Sequence, residues 1–203
     1  LKPGFRGGRM ASPGLHFKTR FSGRAWALPD SCDTDMITPG KYLTIIDPKG
    51  LAEHILEGWR VDFPKQVKAG DILVAGDNMG CGSSREHAPL SMLGAGIPVV
   101  IARSFARIFY RNAINVGLPV MECPDMPKDF VKDGEAVSVD LQKGLVRNET
   151  RNTELKGIPL SAKAIEILDA GGLVNIVRHK LSKRGDATHT APGVPPEADM
   201  KQD

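Results

Sequence analysis

The sequence predicts a single layered α/β domain, and three observations predict it. Short apolar runs of strand length recur at Ile72–Ala75, Pro98–Ala102 and Leu118–Met121. Between them stand longer stretches with apolar residues at helical spacing, so that strand and helix alternate. The chain has 203 residues, 41% hydrophobic and 25% charged. That is enough apolar surface for one compact core without disulfide or metal staples.

The elements follow in order. Residues 1–19, rich in glycine, proline and basic side chains, and residues 182–203 read as disordered tails around a domain at 20–181. The arginine-rich, acid-free start as far as Arg24 loosely resembles a transit peptide, with Met10 an alternative beginning. Phe21–Leu28 is a strand and Pro29–Gly40 a long polar loop. Asp47-Pro48 supplies an N-cap and a first-turn proline for a helix with Leu51, Ile55 and Leu56 on one face. Gly70-Asp71 turns into the strand Ile72–Ala75. The glycine-rich stretch Gly76–Gly82 then leads to a helix from about Ser83. After the strand Pro98–Ala102, Ser104 caps a helix carrying Phe105, Ile108, Phe109 and Ile114. Leu118–Met121 and Ala136–Val139 are strands and Ser161–Ala170 a helix. Gly171-Gly172 separates that helix from a last one ending near Lys180.

Charge and cysteine usage narrow the function classes. The net charge is +3, and much of the excess lies near the ends, at Lys2, Arg6, Arg9, Lys18, Arg20, Lys180, Lys183 and Arg184. Nucleic-acid binding calls for a denser basic patch with interleaved aromatics, and the chain has only two Trp and two Tyr. Cys32, Cys81 and Cys123 form no CxxC pair, so neither a zinc site nor an iron–sulfur site is expected on this chain. An odd, sparse set of cysteines fits a reducing, cytoplasmic setting. No apolar run approaches the roughly 20 residues that a bilayer span needs, so no membrane association is expected.

The segment with most chemistry is GDNMGCGSSREHAP, Gly76 to Pro89, which joins a buried strand to a helix. Its serines admit two readings. Ser83 and Glu86 match a capping box, in which each side chain bonds the other's backbone amide and Ser83 merely starts the helix. Alternatively, Gly80 and Gly82 let a ligand approach the backbone, and a helix N-terminus attracts a carboxylate or phosphate. Arg85 in a first turn opposes the helix dipole, which makes sense if an anion shares the site. Pro89 sits awkwardly in a helix begun at Ser83 and implies a kink or a later start. The glycine spacing fits neither a Walker loop nor a dinucleotide fingerprint, which disfavours a nucleotide-dependent oxidoreductase.

Several linked motifs carry a resemblance. They are Cys32-Asp33-Thr34-Asp35-Met36-Ile37-Thr38-Pro39, then GSSREHAP, then Ser104-Phe105-Ala106-Arg107-Ile108-Phe109, Asn112…Gly117-Leu118-Pro119, and Ala170-Gly171-Gly172-Leu173-Val174. In this order, over about Phe21 to Leu181, they resemble the aconitase swivel-domain superfamily. More closely, they resemble its separate short-chain form, the small subunits of isopropylmalate isomerases. Two departures stand near the proposed pocket. Asp30-Ser31-Cys32-Asp33-Thr34-Asp35 replaces the D-N-I-D-T-D frequent in the family, and Met79 stands where an aromatic is common. Neither removes a group with an assigned role.

The resemblance implies an aconitase-like swivelling β/β/α layered domain. It implies a hydro-lyase that interconverts 2-isopropylmalate and 3-isopropylmalate by dehydration and rehydration, a step of leucine biosynthesis. Ser83 is then the base and Asp35 an acidic residue facing the site. Ser84 and Arg85 hold a substrate carboxylate, with Thr34 and Thr38 beside them. By residue type alone the 33–38 segment reads rather as an Asx-type turn, and the resemblance reverses that reading for Asp35. Glu86 and His87 are expected to be structural, Arg107 and Asn112 either to buttress the loop or to lie on the surface of the next helix, and Cys81 to neighbour the site without serving as a ligand. Tyr42–Ile46 matches the family loop that senses the substrate's variable group. Relatives acting on tricarboxylates place an arginine there; here stand Thr44, Ile45 and Ile46, which favour an alkyl group, since a carboxylate against isoleucine would be desolvated unpaired. No metal or cofactor is expected on this chain. A [4Fe–4S] cluster is expected on a large partner subunit in a hetero-oligomer, with a small branched hydroxy-diacid as substrate. The alternatives are a homoaconitase or 2,3-dimethylmalate dehydratase small subunit, and a non-catalytic anion-binding module of the same fold.

Overall fold

In a computed structural model, which describes residues 17–185, a mixed seven-stranded sheet is flanked by helices, as the strand–helix alternation predicts. The strands are β1 (Arg20–Ala27), β2 (Ile72–Ala75), β3 (Val100–Ala102), β4 (Val120–Glu122), β5 (Ala136–Asp140), β6 (Leu145–Asn148) and β7 (Thr153–Lys156). Their spatial order is β4-β3-β2-β1-β5-β6-β7. β1 belongs to two wings. Its second half pairs in parallel with β2, Ala25 to Ile72 through Ala27 to Val74. Its first half pairs antiparallel with β5, Arg20 to Asp140 through Arg24 to Ala136.

The two wings differ in how readily sequence betrays them. β2 and β3 are buried throughout, as suits parallel strands covered on both faces, so each is a continuous apolar run. The antiparallel wing has one face toward water. β6 (LVRN) and β7 (TELK) carry too few apolar residues to stand out as strands in the sequence.

The helices are α1 (Thr34–Ile37), α2 (Pro48–Ala52), α3 (Phe63–Gln66), α4 (His87–Gly94), α5 (Arg107–Val116), α6 (Ala162–Asp169) and α7 (Leu173–Gly185). They pack as a chain of neighbours: α1 and α2 on α4, α4 on α5, and α5 on α6 and α7. Asp47 caps α2 through the Gly50 amide and Ser161 caps α6 through the Ala164 amide. Among the described residues, no helix is long and apolar enough to cross a membrane.

Several expectations need correction. The polar loop Pro29–Gly40 contains α1, capped by Asp33, whose side chain accepts a 2.7 Å bond from the Met36 amide. The helix begun at Asp47-Pro48 ends at Ala52, and Ile55 and Leu56 are buried from the turns that follow, Leu56 with φ +55°. The helix expected from Ser83 starts at His87, with no side-chain cap, so Ser83 and Glu86 form no capping box. Pro89 thereby falls in the first turn, where its missing amide costs little. α5 starts at Arg107 without a cap from Ser104, whose hydroxyl instead accepts from the Asn78 amide at 2.9 Å. Phe17 and Thr19, assigned to the N-terminal tail, are tied to the domain: the Phe17 amide donates to Asp169, and the Leu141 amide to the Thr19 carbonyl. The last helix runs through Gly185, past Lys180 and past the expected tail start at 182. The remainder of the proposed tails, 1–16 and 186–203, lies outside the described residues.

Candidate active site

The parallel strands β1 to β4 end almost level, since Ala27 pairs with Val74, Ala75 with Ala102 and Ala102 with Glu122. The loops after β1, β2 and β3 therefore leave from one edge, the edge where open α/β sheets place their sites. Arg103, the first residue past β3, binds the other two loops. Its Nε and Nη2 donate to the two oxygens of Asp77 at 3.0 and 2.8 Å, and Nη2 also donates to Asp30. The Asp30 carboxylate takes the Asp77 amide at 3.0 Å and Lys128 Nζ at 3.2 Å. These bonds, the Asp77 amide first, hold the Asp30 carboxyl below its ordinary range. A Cβ on Gly76 would stand 1.7 Å from Asp30 Oδ1, so only glycine lets the carboxylate lie there.

Beyond this junction the loops zip together. The Ser31 amide donates to the Asp77 carbonyl, the Gly80 amide to the Cys32 carbonyl and the Thr34 amide to the Cys81 carbonyl. Met79 and Phe105 form a backbone bridge to the third loop. Gly80, at φ +76°, lies against Phe109, whose ring atoms would be 2.1–2.4 Å from any Cβ.

At the tip, Arg85 Nη1 donates to Asp35 Oδ1 and, at 3.5 Å, to the Thr38 carbonyl. The Arg85 hydrogen bond is the main cause that lowers the Asp35 pKa, so Asp35 is ionised at neutral pH. Arg85 does not oppose a helix dipole from a first turn; it stands before α4, and Asp35 is an anion it already faces. Thr38 is buried, its hydroxyl donating to Ser91 at 3.2 Å. Thr34 is 1% exposed, and its Oγ1 has no hydrogen-bond partner. That atom lies 3.1 Å from where a Cβ on Gly82 would be. Ser83 and Ser84 are exposed on the bend between Gly82 and Arg85.

The structure thus brings together Thr34, Asp35, Thr38, Arg85 and the turn that holds Ser83 and Ser84. Thr44 and Ile45 follow Gly40, whose backbone adjoins the Asp35 carboxylate. Thr44 is exposed; Ile45 is half-buried, with Cγ2 against Gly50. It is Ile46, 86% exposed, that presents an apolar side chain outward. A cluster not anticipated from sequence holds this segment. Glu57 accepts the Tyr42 hydroxyl on both oxygens at 2.8 Å, Lys41 at 3.0 Å, and faces His54 Nδ1 at 2.9 Å. The Tyr42 and His54 rings stack at 3.6 Å. The Arg103 junction was not anticipated either: the sequence shows an arginine directly after one buried strand and aspartates just past two others, but not that these strands stand side by side.

Cys32 and Cys123 are buried, which pushes both thiols up to about 12, and burial also raises Cys81. Among the described residues, no three His, Cys, Asp or Glu side chains are grouped to hold a metal ion.

Comparison with known proteins gives consistent relatives. Residues 24–125 match the family described as the aconitase C-terminal domain. The 3-isopropylmalate dehydratase small subunit 1 of Methanopyrus kandleri is 52% identical over 158 residues, covering 78% of this chain and 92% of that one. The isopropylmalate/citramalate isomerase small subunit of Methanocaldococcus jannaschii is 50% identical over 161 residues, 79% of this chain and 95% of that one. A solved 3-isopropylmalate dehydratase structure from Methanocaldococcus jannaschii superposes with a TM-score of 0.76 at 45% identity, covering 83% of this chain and 99% of that one.

Proposed function

The chain belongs to the aconitase C-terminal domain family and, within it, to the 3-isopropylmalate dehydratase small subunits, and from that membership we propose that its Ser83–Arg85 turn and Asp35 serve the dehydration of an alkyl-malate. The observation that carries this reading is the meeting of Arg85 and Asp35 beside a serine freed from capping.

In the proposed reaction, Ser83 Oγ as alkoxide takes the proton alpha to a substrate carboxylate and returns it in the reverse direction. A serine is a poor base at its ordinary pKa and needs fixed donors around its oxygen. The Arg85 guanidinium, two residues on, supplies positive charge, and the turn runs into the N-terminus of α4. Arg85 bonds Asp35 through Nη1, and its planar fork has further donors for a substrate carboxylate. Asp35 keeps the guanidinium oriented, and Ser84 and Thr34 add hydroxyls. The orphaned Thr34 Oγ1 under Gly82 supports a polar partner arriving there, since an unpaired buried hydroxyl is costly.

The large subunit is proposed to carry the [4Fe–4S] cluster, which would supply the Lewis acid for the departing hydroxyl; the three cysteines of this chain include no CxxC pair. Thr44, Ile45 and Ile46 are proposed to meet the alkyl group, which favours isopropylmalate. A methyl-substituted malate is the second reading, favoured by the relative named for citramalate as well. The three free cysteines suit a reducing cytoplasm. The test is reconstitution. The purified chain alone is expected to turn over no isopropylmalate and the pair with its large subunit to do so. Robust activity of the isolated chain, or none of the pair on any alkyl-malate, sinks the reading.

A further inference from the structure

We infer that Arg103 is a positioning residue for this reaction: its fork fixes the Ser83–Arg85 turn relative to Asp35 by binding the bases of both loops. The inference rests on the reading above for what the two loops do, but not for how they are held.

Asp30 lies five residues before Asp35, and Asp77 six before Ser83. Each loop therefore carries its working residue a short distance from a carboxylate bound to the same guanidinium. The Arg103 side chain is 10% exposed, against 43% for Asp30 and 58% for Asp77, so the guanidinium is anchored inside and its carboxylates reach it from the surface. The pattern is one that only arginine can make. Two donors grip both oxygens of Asp77, and one of them also reaches Asp30. A lysine at 103 would keep the charge and could satisfy one carboxylate at a time.

Among the described residues, no other cation reaches both carboxylates. Without Arg103, Asp30 and Asp77 would adjoin each other across Gly76 as like charges. Lys128 touches only Asp30, and its side chain is 80% exposed. The loops would then part at their base, and the zipper from Ser31 to Thr34 against Asp77 to Cys81 would loosen. Catalytic groups must be held within about 0.5 Å of their working geometry, and a 1 Å misplacement costs on the order of a hundredfold.

The experiment compares Arg103→Lys, Arg103→Met, Asp77→Asn and the double variant Arg103→Lys/Asp77→Asn in the full chain. Each is reconstituted with the large subunit and assayed on isopropylmalate. Arg103→Lys is expected to bind the large subunit as wild type does, to lose about tenfold or more in kcat, and to change KM by less than about threefold. The double variant is expected within about twofold of Arg103→Lys, because both changes break one unit. A kcat for Arg103→Lys within twofold of wild type overturns the proposal. Amide hydrogen exchange on the isolated chain gives a readout independent of activity. Arg103→Lys should speed exchange at Ser31, Thr34 and Gly80 and leave the amides of β2 and β3 protected. Unchanged exchange at those three overturns the clamp even if activity falls. If the wild-type pair does not process isopropylmalate, the functional reading fails, and the exchange result alone decides for or against the clamp.

Discussion

Asp35 and Arg85 lie fifty residues apart in the chain and meet side by side, the carboxylate accepting from Nη1 of the guanidinium. The Asp35 side chain is 63% exposed and that of Arg85 18%, so the pair joins a partly buried cation to a surface anion at the mouth of the turn. Such a pair contributes little to stability, and its value is orientation. Arg85→Lys tests that value. An ammonium is a point charge that cannot hold Asp35 and a substrate carboxylate in one plane. The expected outcome in the reconstituted enzyme is a KM raised about tenfold or more, with a smaller change in kcat. Steady-state kinetics at saturating large subunit measure it. An unaltered KM would remove Arg85 from substrate binding.

Ser83→Ala separates two roles that the sequence left side by side. Loss of a base is expected to lower kcat by roughly 10²–10⁴-fold, with assembly intact by gel filtration. Loss of a helix cap would instead cost about 1 kcal/mol, or about 2–4 °C in Tm for a domain of this size. Because α4 begins at His87 and takes no side-chain cap, the Tm of the variant should lie within about 1 °C of wild type. A clear drop in Tm with little change in kcat would restore the capping role and end the catalytic one.

The alkyl preference rests on Thr44, Ile45 and the outward-facing Ile46. Placing a guanidinium there, by Thr44→Arg, sets a charge against the isopropyl group and offers a partner to a third carboxylate. The expected result is a fall of about tenfold or more in kcat/KM for isopropylmalate. A hydroxy-tricarboxylate should gain measurable affinity, read by competitive inhibition. Wild-type kinetics on isopropylmalate would place the alkyl group elsewhere.

Much of this was legible in the sequence, and the reasons differ by region. The buried wing declared itself because parallel strands covered on both faces must be apolar, as Ile72–Ala75 is. Asp47 announced its helix because capping is local chemistry. The same rule misled at Ser83, where Pro89 was the better guide: the chain bends at Gly82 and Ser83 and begins its helix four residues later. β6 and β7 stayed hidden because a half-solvated strand such as TELK has no apolar run to read. The pairing of Asp35 with Arg85, and of Arg103 with Asp30 and Asp77, lay beyond sequence reasoning because each joins residues that only the parallel register of β1, β2 and β3 brings level.

Glu57 offers a prediction in pH. The Tyr42 hydroxyl first, then Lys41 and His54, hold its carboxyl down to about 2 from an ordinary 4.5. A carboxyl whose pKa is depressed by folding stabilises the fold where it is ionised in both states. That contribution is therefore complete above about pH 5 and is lost as pH falls through the interval between 4.5 and about 2. Glu57→Gln cannot bind Lys41 as an ion and has no such dependence. In urea unfolding of the isolated chain, wild type should exceed Glu57→Gln in stability at pH 6, and the gap should narrow by pH 3. Because Tyr42 stacks on His54 and leads into Thr44–Ile46, the variant should also discriminate less between isopropylmalate and a methyl-substituted malate. A stability gap that is constant from pH 6 to pH 3 would show that the Glu57 carboxylate does not hold this loop through its charge.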